Sequence, residues 1–174
     1  MDTGSSALDF GLLIFRVTLG FTMAAHGYKF FSGGRLADTA GWFDSIGMQP
    51  GALHARVAAS TELSAGILLA AGLLTPLHAA AFVALMLVAA WTVHRGNGFF
   101  IVKDGWEYNL ILAVAAVAVA TVGAGQYSLD HEFFADASFQ HLLNGWWGFG
   151  LATVLGLAGG IAQFLAFYRP AATR

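Results

Sequence analysis

The fold of this chain is decided by the stretch Arg16-Val-Thr-Leu-Gly-Phe-Thr-Met-Ala-Ala-His-Gly-Tyr-Lys29, which reads as a membrane helix yet contains an Arg, a His and a Lys. With its flanks, the apolar run covers residues 7–31, and about 20 apolar residues suffice to cross roughly 30 Å of hydrocarbon. Four polar residues share one face of this helix by their spacing: Thr18, Thr22, His26 and Lys29. Because such a face is costly against lipid, we expect another helix to cover it.

The composition of the whole chain agrees with a membrane protein. Of its 174 residues, 57% are hydrophobic and only 10% are charged, whereas soluble domains usually carry about 25% charged residues. The net charge of −2 does not favour nucleic acid as a partner. The chain has no cysteine, which excludes thiol–disulfide chemistry and thiolate metal sites within it. We therefore predict an all-α polytopic membrane protein in contact with lipid, located in the cell membrane.

Apolar segments and their breakers predict five spanning helices. The first covers residues 7–31 and is expected to be retained, because the acidic N-terminus does not resemble a signal peptide. The others are predicted at residues 53–74, 77–93, 106–122 and 145–168, with a short interfacial helix at 36–46. A polar, acidic segment at 123–144 precedes the last span. Gly156 and Gly160 in that span predict close helix packing.

The basic residues fall almost entirely on one side of a five-span topology. The loops after spans one and three, the start of span two and the C-terminal tail hold the following: Lys29, Arg35, Arg56, Arg95, Lys103, Arg169 and Arg174. The positive-inside rule makes this side cytoplasmic. We therefore expect the N-terminus and the acidic segment outside the cell membrane and the C-terminus in the cytoplasm.

Titratable side chains from four helices are expected in the cytoplasmic leaflet. The candidates are His26 and Lys29 at the end of span one, Glu62 within span two, His94 at the end of span three, and Glu107 and Tyr108 at the start of span four. Charged groups in hydrocarbon must pair or line a polar cavity. The expected pairs are Glu62 with His26 or Lys29, and His94 with Glu107.

Each candidate also has a plainer interpretation. Lys29 can extend to the headgroups, Glu107 can complement a helix dipole, and Arg16 can bridge helices or reach the outer headgroups. His94 and Tyr108 suit an interfacial belt. Axial haem ligation by His26 and His94 is disfavoured because both lie at one end of their helices. We predict neither haem nor metal.

Short motifs follow one another in a fixed order between residues 8 and 130. They are Arg16 to Gly20, His26-Gly-Tyr-Lys-Phe30, Ala40-Gly-Trp-Phe-Asp-Ser-Ile-Gly47, Glu62-Leu-Ser-Ala-Gly66 with Gly72-Leu-Leu-Thr75, Asn97-Gly-Phe-Phe100, Gly105-Trp-Glu-Tyr-Asn109 and Gly125-Gln-Tyr-Ser-Leu-Asp130. In order and spacing this set resembles the DoxX family of integral membrane proteins. The resemblance implies a DoxX-like four-helix membrane domain over residues 1–130. Residues 131–174 then add an acidic outer segment and a fifth transmembrane helix.

The resemblance also implies a membrane redox role. Relatives include the DoxD-type subunit of thiosulfate:quinone oxidoreductases. Mycobacterial members associate with a superoxide dismutase and a thiosulfate sulfurtransferase. The family positions matched in this chain are Arg16, His26, Lys29, Glu62, Glu107 and Tyr108.

Two functions from different classes fit these observations. In the first, the chain is a quinone-linked oxidoreductase subunit: a quinone headgroup sits among His26, Glu62, His94 and Tyr108, with Lys29, Glu107 and Arg16 as further binding residues. Glu62 and His26 exchange protons, and electrons come from a separate protein. In the second, the chain is a non-catalytic scaffold that docks a partner protein in a membrane complex. A transporter is less favoured, since five helices show no inverted repeat. The sequence leaves the oligomeric state open.

Overall fold

The computed structural model describes residues 3–32 and 35–170, with side chains from residue 6 onwards, and shows an all-helical bundle. Its long helices are α1 (Thr3–Phe31), α3 (Gly51–Ala71), α4 (Thr75–Ala89), α5 (Glu107–Val122) and α7 (Gly145–Phe167). Between them lie α2 (Leu36–Ser45) and the short α6 (Leu129–Phe134). A π turn (Ala90–His94) and a 3₁₀ turn (Arg95–Asn97) extend α4, and further 3₁₀ turns lie at Ile101–Lys103 and Gln140–Leu143. No strand is present in the described part of the chain, so the predicted all-α fold class is confirmed.

The five long helices coincide with the five predicted spans to within a few residues. Among the described residues, three helical segments are long and apolar enough to cross a membrane: Ser6–Phe31, Thr75–Asn97 and Gly145–Phe167. Helix α5 is apolar but shorter, and α3 carries Arg56 and Glu62. The chain is thus a membrane protein, while the crossing of the bilayer by α3 and α5 stays a prediction.

Helix α4 lies at the centre of the bundle, packed against α3, α5 and α7, and α1 packs mainly along α3. The core joins side chains of all five long helices, including Met23, Leu69, Phe82, Val119 and Ala152. At the end of the bundle where α7 finishes, Gln49 N–H donates to the Phe167 carbonyl over 3.1 Å. The C-terminal end of α7 therefore meets the loop that leads into α3.

Glycines permit the closest helix contacts. A Cβ on Gly66 of α3 would lie 2.5 Å from the Ala24 nitrogen of α1, and one on Gly20 would meet the Gly66 carbonyl. On α7, Gly156 faces Val83 and Gly160 faces Leu87, both on α4. The predicted small-residue packing of α7 is thus present.

The face of α1 that is buried differs from the expected one. Helix α1 buries Arg16, Leu19, Gly20, Met23 and Gly27 towards α3. On the other face, Thr18, His26 and Lys29 are exposed and Thr22 is half-buried. The Thr22 hydroxyl donates to the Thr18 carbonyl over 2.9 Å, which satisfies it without a neighbouring helix. The expectation that this face is covered was therefore wrong, because close packing at glycines selected the other side.

The α1–α3 contact gives a first testable prediction. We expect Gly66→Ala to lower the stability by about 1–3 kcal/mol, because the added methyl group meets backbone rather than a side chain that could move. The measurement is thermal unfolding in detergent, followed by circular dichroism. The matched control is Gly11→Ala on α1, where a Cβ meets no atom within 4 Å. Equal melting temperatures for the two variants would contradict the close contact.

Candidate functional site: a cavity between the helices

A cavity of about 540 Å³ lies among the helices. It is found near the end of the bundle where α1 and α4 finish and where α3 and α5 begin. Six of the seven helices line it, α6 being the exception. Most of the lining is apolar, and exposed residues such as Trp42, Val57 and Ile101 lie at its edge. The cavity is therefore accessible from the surface of the bundle.

The polar side chains of the lining come from five different elements. They are His26 from α1, His54, Thr61 and Glu62 from α3, Thr92 and His94 from the π turn after α4, Tyr108 and Asn109 from α5, and Gln163 from α7. Four predicted site residues, namely His26, Glu62, His94 and Tyr108, are thus brought to one cavity. Within the described residues, no group of three or more His, Cys, Asp or Glu side chains is placed to hold a metal ion.

Glu62 is the acidic side chain of this lining, and one of its carboxyl oxygens is unpaired. Its Oε2 atom is buried and has no hydrogen-bond partner. Helix α1 closes over the base of the side chain, since a Cβ on Gly27 would lie 2.9 Å from the Glu62 Cβ. A buried carboxyl oxygen without a partner is costly. The cavity is the space from which a ligand could supply one.

Neither of the expected pairs, Glu62 with His26 or Lys29 and His94 with Glu107, is formed. His94 Nδ1 hydrogen-bonds the Asp104 carbonyl over 2.7 Å, and Glu107 Oε2 accepts from the Ile101 amide over 2.9 Å. Both contacts lie within the connection from α4 to α5, so these side chains shape the loop. Glu62 Oε2 accepts no hydrogen bond from His26 or Lys29, since it has no partner among the described residues.

Three of the predicted site residues lie outside the cavity lining. Glu107 accepts the hydrogen bond from the Ile101 amide given above, and Lys29 is exposed at the end of α1. Arg16 is nearer the opposite end of the bundle and is only 1% exposed. Its Nη1 donates to the Ala70 carbonyl and its Nη2 to the Tyr127 carbonyl. Arg16 therefore joins α1 to the end of α3 and to the loop before α6.

Asp130 completes this second polar cluster. Its carboxylate accepts hydrogen bonds from the Leu74 amide (2.6 Å) and from both the amide (3.0 Å) and hydroxyl (2.7 Å) of Thr75. These are the unpaired donors at the start of α4, where a negative charge is favourable. Arg16 and Asp130 thus satisfy backbone groups at the turn between α3 and α4.

His54 lines the cavity and was not among the predicted site residues. It is 2% exposed, and its Nδ1 lies 3.1 Å from the Gln163 amide nitrogen. Its ring packs edge-on against Phe167, with centroids 4.9 Å apart, while its Nε2 has no hydrogen-bond partner. The only sequence signal was a histidine one residue inside a predicted span. Its partner, Gln163, is 109 positions away.

These features define a class: a polytopic α-helical membrane protein with a mainly apolar cavity that contains unpaired polar atoms. Residues 11–95, from within α1 to the start of the 3₁₀ turn after α4, match the model of the DoxX family. The chain is also 33% identical over 81 residues to an uncharacterized protein of Haemophilus influenzae. That match covers 47% of this chain and about half (54%) of the relative. No solved structure matches the chain.

The contacts of Arg16 give a second prediction. Arg16→Lys should lower the stability by about 1–3 kcal/mol, because an ammonium cannot reproduce the forked contact of a guanidinium with two separate carbonyls. Ligand binding by the folded protein should be unchanged, since Arg16 lies outside the cavity lining. Thermal unfolding checks the first statement, with Arg35→Lys at an exposed position as the control. An unchanged melting temperature for Arg16→Lys would contradict the assignment.

Proposed function

We propose that the cavity binds the headgroup of a quinone and that the protein is a membrane subunit of a quinone-linked redox system. The observation that carries the proposal is the unpaired Oε2 of Glu62 in a mainly apolar cavity. A quinone ring needs flat apolar walls and one or two hydrogen-bonding groups for its oxygens, and such a combination is typical of small-molecule sites. The likeness of residues 11–95 to the DoxX family supports the redox assignment.

The chemistry assigned to the chain is binding and proton exchange. Reduction of a quinone to a hydroquinone takes up two electrons and two protons. In this proposal a separate redox protein supplies the electrons. Glu62, beside the ring, and His26, at the exposed edge, relay the protons. Tyr108 and His94 line the same space and orient the ring.

The test is what the purified protein holds. After purification in mild detergent, lipid extraction and mass spectrometry should find quinone in stoichiometric amounts. Glu62→Leu should retain at least tenfold less, because about 1.4 kcal/mol of hydrogen bonding corresponds to a factor of ten. The control is Glu132→Leu, which removes an exposed carboxylate of α6. A co-purifying protein in the absence of quinone would contradict the proposal and favour the scaffold function.

We further propose that the cavity end of the bundle faces the cytoplasm. The described basic residues outside α1 that support this are Arg35, Arg56, Arg95, Lys103 and Arg169, whereas Asp130, Glu132 and Asp136 follow α5, before the start of α7. The positive-inside rule then orients the N-terminus outwards.

Single cysteines test the orientation without background, because the chain has none of its own. In intact cells, an impermeant thiol reagent should label a cysteine at the exposed Asp136 position and should leave one at the exposed Val102 position unlabelled. Permeabilised cells, in which both positions should react, provide the control. The reverse pattern in intact cells would contradict the assigned orientation.

A further inference from the structure

The cavity has a second polar end that the function proposed above does not use. It is formed by His54 of α3 and Gln163 of α7. The amide nitrogen of Gln163 donates to His54 Nδ1 over 3.1 Å, which leaves the ring proton of the neutral imidazole on Nε2. The backbone of Gln49 is a hydrogen-bonding neighbour of the ring, but no hydrogen bond of ordinary length and angle is made by Nε2. The cavity wall therefore contains a buried ring nitrogen without a well-formed hydrogen bond.

A histidine used only for packing would be expected to satisfy both nitrogens, because an unpaired buried donor costs about 1–3 kcal/mol. His54 is packed by aromatic rings, with the Phe167 centroid at 4.9 Å and the Phe43 centroid at 6.1 Å. This packing and the Gln163 contact hold the ring in place. A fixed, unpaired donor on a cavity wall indicates a ligand with an acceptor oxygen.

The spacing between His54 and Glu62 limits the shape of that ligand. The two residues are eight positions apart on α3, which places their Cα atoms about 12 Å apart along the helix axis. Between them the α3 part of the lining is Val57, Ala58 and Thr61. The cavity thus presents one unpaired polar atom towards each end and mainly apolar surface between them.

A para-quinone has the same arrangement. Its two carbonyl oxygens lie about 5 Å apart on opposite sides of a flat apolar ring, and each accepts a hydrogen bond of about 2.8 Å. Donors that bind both oxygens at once therefore lie about 11 Å apart. A ligand with one oxygen would leave one of the two polar ends unpaired.

We infer that the ring lies along α3, with one carbonyl accepting a hydrogen bond from His54 Nε2–H and the other accepting one from the O–H of the protonated Glu62 carboxyl group. This inference rests on the proposed function and adds to it the orientation of the ligand and the residue that binds its second oxygen. Gln163 sets the tautomer of His54 and is a positioning residue. Because it lies on α7, outside residues 11–95, this half of the site depends on a helix beyond the DoxX segment.

The test compares two ligands in one assay. Menadione has two carbonyl groups, and alpha-tetralone has a related bicyclic skeleton with one. Dissociation constants are measured by calorimetry in detergent for the wild type, His54→Phe and Gln163→Leu. The control is His131→Phe, which makes the same change at an exposed histidine of α6, outside the cavity.

We expect the wild type and His131→Phe to prefer menadione about tenfold, which corresponds to one hydrogen bond. In His54→Phe this preference should fall to below twofold, while the affinity for alpha-tetralone changes less than threefold. Gln163→Leu should reduce the preference about threefold, because the ring proton is then free to occupy either nitrogen. A purely structural role would change the affinity for both ligands alike.

The outcomes separate this inference from the function on which it rests. If the wild type binds menadione and His54→Phe keeps the tenfold preference, the orientation is overturned and the quinone site stands. If the wild type binds neither ligand, both are overturned. Should His54→Phe fail to fold, as judged by gel filtration, Gln163→Leu decides: an unchanged preference overturns the inference.

Discussion

The close approach of α1 to α3 is the constraint on which the rest of the structure depends. At Gly20 and Gly66 the two backbones are in contact, and at Gly27 the α1 backbone covers the base of Glu62. A larger side chain at these positions would separate the helices. The Glu62 side chain lines the cavity, and its Oε2 has no hydrogen-bond partner in the described part of the chain.

The two polar regions of the bundle differ in how their groups are satisfied. Near the turn between α3 and α4, Arg16 donates to backbone carbonyls and Asp130 accepts from backbone amides and a hydroxyl. This region stabilises the fold through contacts that are made within the chain. In the cavity, Glu62 and His54 each retain an unpaired buried atom, whereas the unpaired Nε of Arg16 belongs to a guanidinium whose other two nitrogens are hydrogen-bonded. The unpaired atoms of the cavity lining are consistent with a binding site.

Hydropathy and helix-breaking residues predicted the positions of the helices well, because a membrane-spanning helix requires a long apolar run. The same reasoning selected Glu62, since an acidic residue among Ala, Leu and Gly is exceptional. It could not assign Arg16 to backbone carbonyls, because its partners are 54 and 111 residues away. It also chose the wrong face of α1, since polarity suggested Thr18 and His26 while glycines decided the packing. His54 was missed because its role depends on Gln163 of a distant helix.

The central claim is that a quinone occupies the cavity between the helices, beside α3. Photoaffinity labelling with an azido-quinone, followed by mass spectrometric mapping of the labelled peptides, tests it most directly. The account predicts that labelling is concentrated in residues 54–62 of α3 and around Gln163 of α7 and is prevented by excess unlabelled quinone. Labelling confined to the outer faces of the helices, and unaffected by competitor, would contradict it.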